Sequence, residues 1–127
     1  MPDTTLLNDW KAHLHSLCDN IKKWAQQERW LINSQPKQIE EKALGPYEAE
    51  LIQVKTPQGM IVVDPIAASI TGAKGRVDLY AFPSLNRVRL LWNGNKWIVR
   101  TDSGINLKET WGKKTFVELA RDLTAAP

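Results

Sequence analysis

Tyr80, Phe82, Arg87, Arg89 and Arg100 are the residues of this 127-residue chain whose types and spacing best suit a binding chemistry. Alternation along 76–82 and 86–101 puts them on one face of a sheet, together with Leu91 and Ile98. If residues 83–86 form a four-residue link, Phe82 falls opposite Arg87 and Tyr80 opposite Arg89. Arg100 and Ile98 then come alongside from the next strand. Like charges on neighbouring strands repel, so several arginines on one face need something negative. That can be internal, with Asp78, Glu48 and Glu50 as cross-strand partners and Tyr80 as a stacking surface. It can also be external, and arginine with aromatics is the mixture enriched at protein-binding hot spots. The same mixture suits nucleic acid, with arginine on phosphate and rings on bases.

Sets of catalytic residues are harder to assemble. One cysteine and two histidines cannot make a zinc site, and His13 and His15, two apart on a helix, face different ways. Residues 71–76, TGAKGR, lack the spacing of a phosphate loop and the helix that should follow it. No Gly-x-Ser-x-Gly elbow occurs. Asp64, Asp78 and Asp102 lack the acid-x-Lys strand that a metal-dependent nuclease would add. Cys18 sits beside an apolar stripe, where a thiol is not activated. The chain is therefore expected not to be an enzyme and to need no cofactor.

The positioning elements follow from periodicity. Leu7, Trp10, Leu14, Leu17, Ile21, Trp24 and Leu31 recur at spacings of three and four, broken only at Glu28, which predicts a helix over 4–33. Asp3 or Thr4 can cap its start, and Pro36 disfavours helix just before itself. Thirty residues make about 45 Å of helix at 1.5 Å each, longer than a small sheet is wide. Either the helix bends or frays, or one end projects. A projecting stripe of Leu7, Trp10, Leu14 and Leu17 would seek a second copy of the chain. Residues 36–46 read as a connector, with a turn of helix ended by Gly45-Pro46. Glu40 and Glu41 sit together there on a solvated turn.

Residues 47–101 then read as about five strands. They cover 47–55, 60–63 (ended by Asp64-Pro65), 76–82 and the two arms of a hairpin about Asn93-Gly94-Asn95. Thr56-Pro57-Gln58-Gly59 is a turn. In the hairpin, Val88, Leu90, Trp92, Trp97 and Val99 share the face opposite the arginines and belong to the core. A cavity beneath the first helix, lined by Trp92 and Trp97, is the weaker alternative. Residues 102–104 turn, and Ile105 to Leu107 make a short extended piece. A helix over 113–124 closes the chain, with Thr115 and Glu118 at capping-box spacing. Short links without crossover helices favour an antiparallel meander. The expected fold is one α+β domain over 1–127, a curved sheet under the long helix.

Charge is uneven. Residues 1–73 hold seven Lys/Arg against nine Asp/Glu, and residues 74–127 hold ten against five, so the second part is the better candidate for an acidic partner. No apolar run approaches the roughly 20 residues of a spanning helix. With one cysteine and no signal-peptide pattern, the chain is expected to be cytoplasmic. The leading expectation is a non-catalytic protein-interaction module of adaptor, chaperone-like or immunity type. It would use the Arg/aromatic face, the long helix as a homodimer surface, or both. The alternative is a nucleic-acid-binding domain built on residues 76–100 with Lys108, Lys113 and Lys114.

Overall fold

Helix α1 spans Thr4–Gln27 and buries Trp10, Leu14, Leu17, Cys18, Ile21 and Ala25 along one side. It stops six residues before the expected end. Trp30 N–H donates to the Ala25 carbonyl at 2.9 Å and Arg29 N–H to that of Gln26 at 3.0 Å, with Arg29 at φ 61°. This is a Schellman cap, with arginine in the left-handed position that glycine usually takes. The chain turns directly into a strand at Leu31, so the apolar periodicity through Leu31 and Ile32 belongs to two different elements. At 24 residues the helix is about 36 Å long. The computed structural model describes residues 4–70, 72–101 and 110–125; the expected roles of Asp3, 102–107 and Lys108 lie outside them.

Six strands follow: β1 Leu31–Glu41, β2 Gly45–Thr56, β3 Gly59–Ala67, β4 Arg76–Phe82, β5 Arg87–Trp92 and β6 Trp97–Thr101. Each pairs antiparallel with the next, in the order β1-β2-β3-β4-β5-β6. Helix α2, Lys113–Thr124, ends the fold. The class is the expected α+β meander. The extra strand is β1, which occupies the end of the expected helix and most of the expected connector. Pro36 sits within it, tolerated because an edge strand leaves the other side of its backbone unpaired. Gly45, expected to stop a helical turn, begins β2 at φ 74°. Asp64-Pro65 does not end β3, which runs on to Ala67 through a bulge after Pro65.

Both helices share one side of the sheet. Leu17 and Ile21 of α1 and Phe116 and Leu119 of α2 join Ile52, Val54, Ile61, Val63, Leu79 and Leu90 in one core. Trp24, Trp30 and Trp111 pack around Phe116 at 6.0 to 6.2 Å between ring centres. The β1–β2 ribbon changes the face it buries without losing register. Tyr47 and Ala49 are buried in one half, and Ile52, Val54 and Thr56 in the other. A strongly coiled ribbon allows this. Gly75 lies against Trp10 so closely that any Cβ would overlap the indole.

The N-terminus of α2 differs from the expected capping box. Gly112 is its N-cap, and Thr115 lies inside the first turn, buried, donating to the Thr110 carbonyl at 2.7 Å. At its other end the Leu123 carbonyl accepts from Asn86 Nδ2 at 3.0 Å and from the Ser84 hydroxyl. The last carbonyls of a helix need such partners, and here they tie the β4–β5 loop to α2.

Candidate interaction surface

The sheet face turned away from the helices carries the five residues singled out from the sequence. Its registers define three cross-strand rows. The first is Leu31, Lys55, Met60 and Phe82 across β1 to β4. The second is Asn33, Gln53, Val62, Tyr80 and Arg87 across β1 to β5. The third is Asp64, Asp78, Arg89 and Arg100 across β3 to β6. Arg76, Leu91 and Ile98 follow on the same face.

Face membership is as expected, but the β4–β5 register is offset by two residues. Tyr80 lies opposite Arg87 and Asp78 opposite Arg89. Ala81 N–H donates to Asn86 O at 3.0 Å and Leu85 N–H to Ala81 O at 2.9 Å, with Leu85 at φ 64°. The loop therefore takes Phe82 out of the β4–β5 pairing. A two-residue offset leaves every side chain on its own face. Phe82 instead pairs with Met60 and meets the Tyr80 ring at 5.8 Å.

Asp78 organises the arginines. It is 2% exposed although it lies on the outer face. Its carboxylate accepts from Arg76 Nε at 2.7 Å and Nη2 at 2.9 Å, a two-pronged geometry. Arg87 Nη1 lies 3.6 Å from the same group, and the Arg87 guanidinium stands 5.4 Å from the centre of the Tyr80 ring. Asp64, opposite Asp78, is held by Lys37 Nζ at 2.6 Å. Burial and the Asp64 carboxylate push the Tyr80 phenol above its ordinary value, while Arg87 pulls it down.

Part of the internal-pairing expectation thus holds, through Asp78 and Tyr80. The part assigned to Glu48 and Glu50 does not. Glu50 is bound by Lys22 of α1 and by the Ser34 hydroxyl, and Glu48 accepts from Gln38 Nε2 at 2.9 Å. Both acids alternate in step with Ile52 and Val54, which face the helices, so neither has the parity of the arginine face. Glu41, expected on a solvated turn, accepts from the Ala68 and Ser69 N–H groups at 2.9 to 3.1 Å and from the Tyr47 hydroxyl.

The expected oligomer stripe is also corrected. Trp10, Leu14 and Leu17 are buried in the chain's own core, and Leu7 packs half-buried at its margin. The helix ends early enough to lie over its own sheet, so this stripe is covered without a second copy. Trp92 and Trp97 pack against the same core as expected, 5.2 Å apart, with His13 against Trp92 at 4.2 Å.

Sequence reasoning missed the apolar end of the outer face. Leu31 was assigned to the helix, so its neighbourhood with Met60 was invisible. Leu31, Ile32, Asn33, Gln53, Lys55 and Met60 line a shallow depression of about 210 Å³. Val62, 3% exposed, is the one buried aliphatic residue among those described that stands apart from the core, between Gln53 and Tyr80.

A second cleft of about 160 Å³ lies between α1 and β2, lined by Lys11, Leu14, His15, Cys18, Glu48, Ala49 and Glu50. Burial and the Glu50 carboxylate push the Cys18 thiol up to about 12, far from a working nucleophile. Burial also raises Glu50, but hydrogen bonds from Lys22 and Ser34 leave its carboxyl below the usual range. Among the described residues, no three His, Cys, Asp or Glu side chains are grouped to hold a metal ion. No helix among them is long and apolar enough to cross a membrane. Comparison of the chain with protein-family models, with curated proteins and with solved structures gives no match in any of the three.

Proposed function

We propose that this chain is a non-catalytic protein-interaction module and that its partner docks on the outer face of the sheet. One observation carries the reading. Both helices pack on the opposite face, leaving Phe82 45% exposed beside Tyr80, with Arg87 and Arg100 also exposed. Exposed aromatic and arginine side chains on a rigid sheet are the usual material of a binding hot spot. The strands hold them in place without a mobile loop, which limits the entropy lost on docking.

The nucleic-acid alternative draws less support. Of the lysines it recruits, Lys113 lies 3.8 Å from Glu28, in the helix layer. Arg121 meets the same carboxylate at 3.5 Å. The basic residues of the second part are thus divided between two sides of the molecule.

The test is comparative capture from cells that make the protein, with captured proteins identified by mass spectrometry. A variant combining Phe82→Ser and Arg100→Glu should lose a partner that the wild type retains. Lys23→Glu, on the exposed side of α1, should keep it. Equal capture by all three chains would refute the assignment to this face.

A further inference from the structure

The outer face has two chemically distinct ends, and their separation describes a ligand. At one end Leu31, Met60 and Phe82, with Lys55 between the first two, form a mainly apolar row around the depression at Leu31 and Met60. All residues lining that depression except Ile32 have outer-face register. At the other end the charge balance is positive. Among the described residues, Arg76, Arg87, Arg89 and Arg100 share this end with Asp64 and Asp78, and Lys37 already occupies Asp64. Arg76 takes both Asp78 oxygens, so Arg87, 3.6 Å away and exposed, is the weaker claimant.

We infer that the partner presents an acidic segment with an apolar anchor, the anchor seated at Leu31 and Met60 and the carboxylates on Arg87, Arg89 and Arg100. The inference rests on the interaction reading above and adds the chemistry of the partner. Spacing makes it specific. From Met60 on β3 to Arg89 on β5 is two strand spacings of about 4.8 Å and four residues of about 3.3 Å. The diagonal is roughly 16 Å, the reach of about five extended residues. A segment crossing the strands on this diagonal meets apolar surface, then Tyr80 and Phe82, then guanidinium groups. Arginine pairs with carboxylates in a two-pronged geometry, which suits this end for acidic side chains.

The experiment uses four probes against the full ¹⁵N-labelled chain. The first is a peptide with a Leu-Trp anchor, a four-residue Gly/Ser spacer and a run of four glutamates. The second replaces the glutamates by lysines, and the third replaces the anchor by serines. The fourth is a thymidine dodecamer. The first peptide should bind at least about tenfold more tightly than either peptide control, because its two ends act together. Its amide shifts should fall at Lys55, Met60 and Arg87 to Arg89. Arg87→Gln with Arg100→Gln should lower its affinity to that of the serine-anchor peptide, and the amide spectrum reports whether this variant folds. Met60→Ser should remove only the advantage given by the anchor.

Equal binding of the lysine peptide, shifts confined to other surfaces, or tighter binding of the dodecamer would each overturn the inference. If the outer-face variants lose their cellular partner while the acidic peptide fails to bind, this inference falls and the interaction reading stands. If neither effect appears, both fall.

Discussion

Asp78 is buried on the face that points away from the core, and Arg76 and Arg87 close over it. Removing its charge takes from both cations the carboxylate they share in a partly desolvated place. Asp78→Ala should cost about 2–4 kcal/mol in urea unfolding, near the lower end expected for breaking a buried pair, because both arginines retain access to water. Asp78→Asn, which keeps the shape, should cost less. Equal stability of Asp78→Ala and the wild type would mean that Asp78 does not order this face. Cys18 gives a second check at this scale. Its thiol is pushed from 9.0 to about 12 by burial, with Glu50 adding to the effect. The folded chain therefore keeps a proton that the unfolded chain releases. This contribution is fully present below pH 9 and declines as pH rises from 9 towards 12. Cys18→Ala should flatten the fall in unfolding free energy between pH 9 and 10, and native Cys18 should resist alkylation at pH 8. Rapid alkylation of the folded chain would contradict the burial.

Among the elements, strands β4, β5 and β6 and helix α2 were legible because their side chains alternate or repeat in step with one packing surface. Arg76–Phe82 and Lys113–Thr124 match the expected bounds. The boundary between α1 and β1 was not legible. Arg29 takes the left-handed position without being glycine, and Leu31 and Ile32 continue a helical period by coincidence. The β1–β2 ribbon was half legible. Coiling buries Tyr47 and Ala49 as well as Ile52 and Val54, so neither alternating set reads as the inner one. The β4–β5 register failed for a local reason, the path of the Pro83–Asn86 loop, yet the face assignment survived because the error was two residues. Tests of the elements follow from packing. Leu17→Ala should destabilise by about 2–5 kcal/mol, as core truncations do, and should leave the solution mass of the folded chain unchanged. A fall in mass at unchanged stability would restore the helix as an oligomer surface. Gly75→Ala drives a methyl into the Trp10 ring and should cost about 1–3 kcal/mol, seen as a lower unfolding midpoint and altered tryptophan emission.

At the scale of the whole molecule, the two sides of the sheet are used differently. One is consumed by α1 and α2 and accounts for most of the large apolar side chains. The other holds an ordered set of arginines, two aromatics and an apolar depression that neither helix needs. A fold that only had to be stable could place small polar residues there. If the partner docks there, substitutions at the exposed outer-face residues Phe82 and Arg100 should change binding and spare stability, whereas substitutions on the inner face, and at the buried Asp78, should lower stability. The decisive measurement is the affinity of the captured partner for the wild type and for Phe82→Ser with Arg100→Glu, with the unfolding midpoint of each chain measured alongside. An affinity loss of at least about 30-fold is expected, the size of one hot-spot residue, at a nearly unchanged midpoint. Equal affinity of the two folded chains would contradict the outer face as the site of interaction.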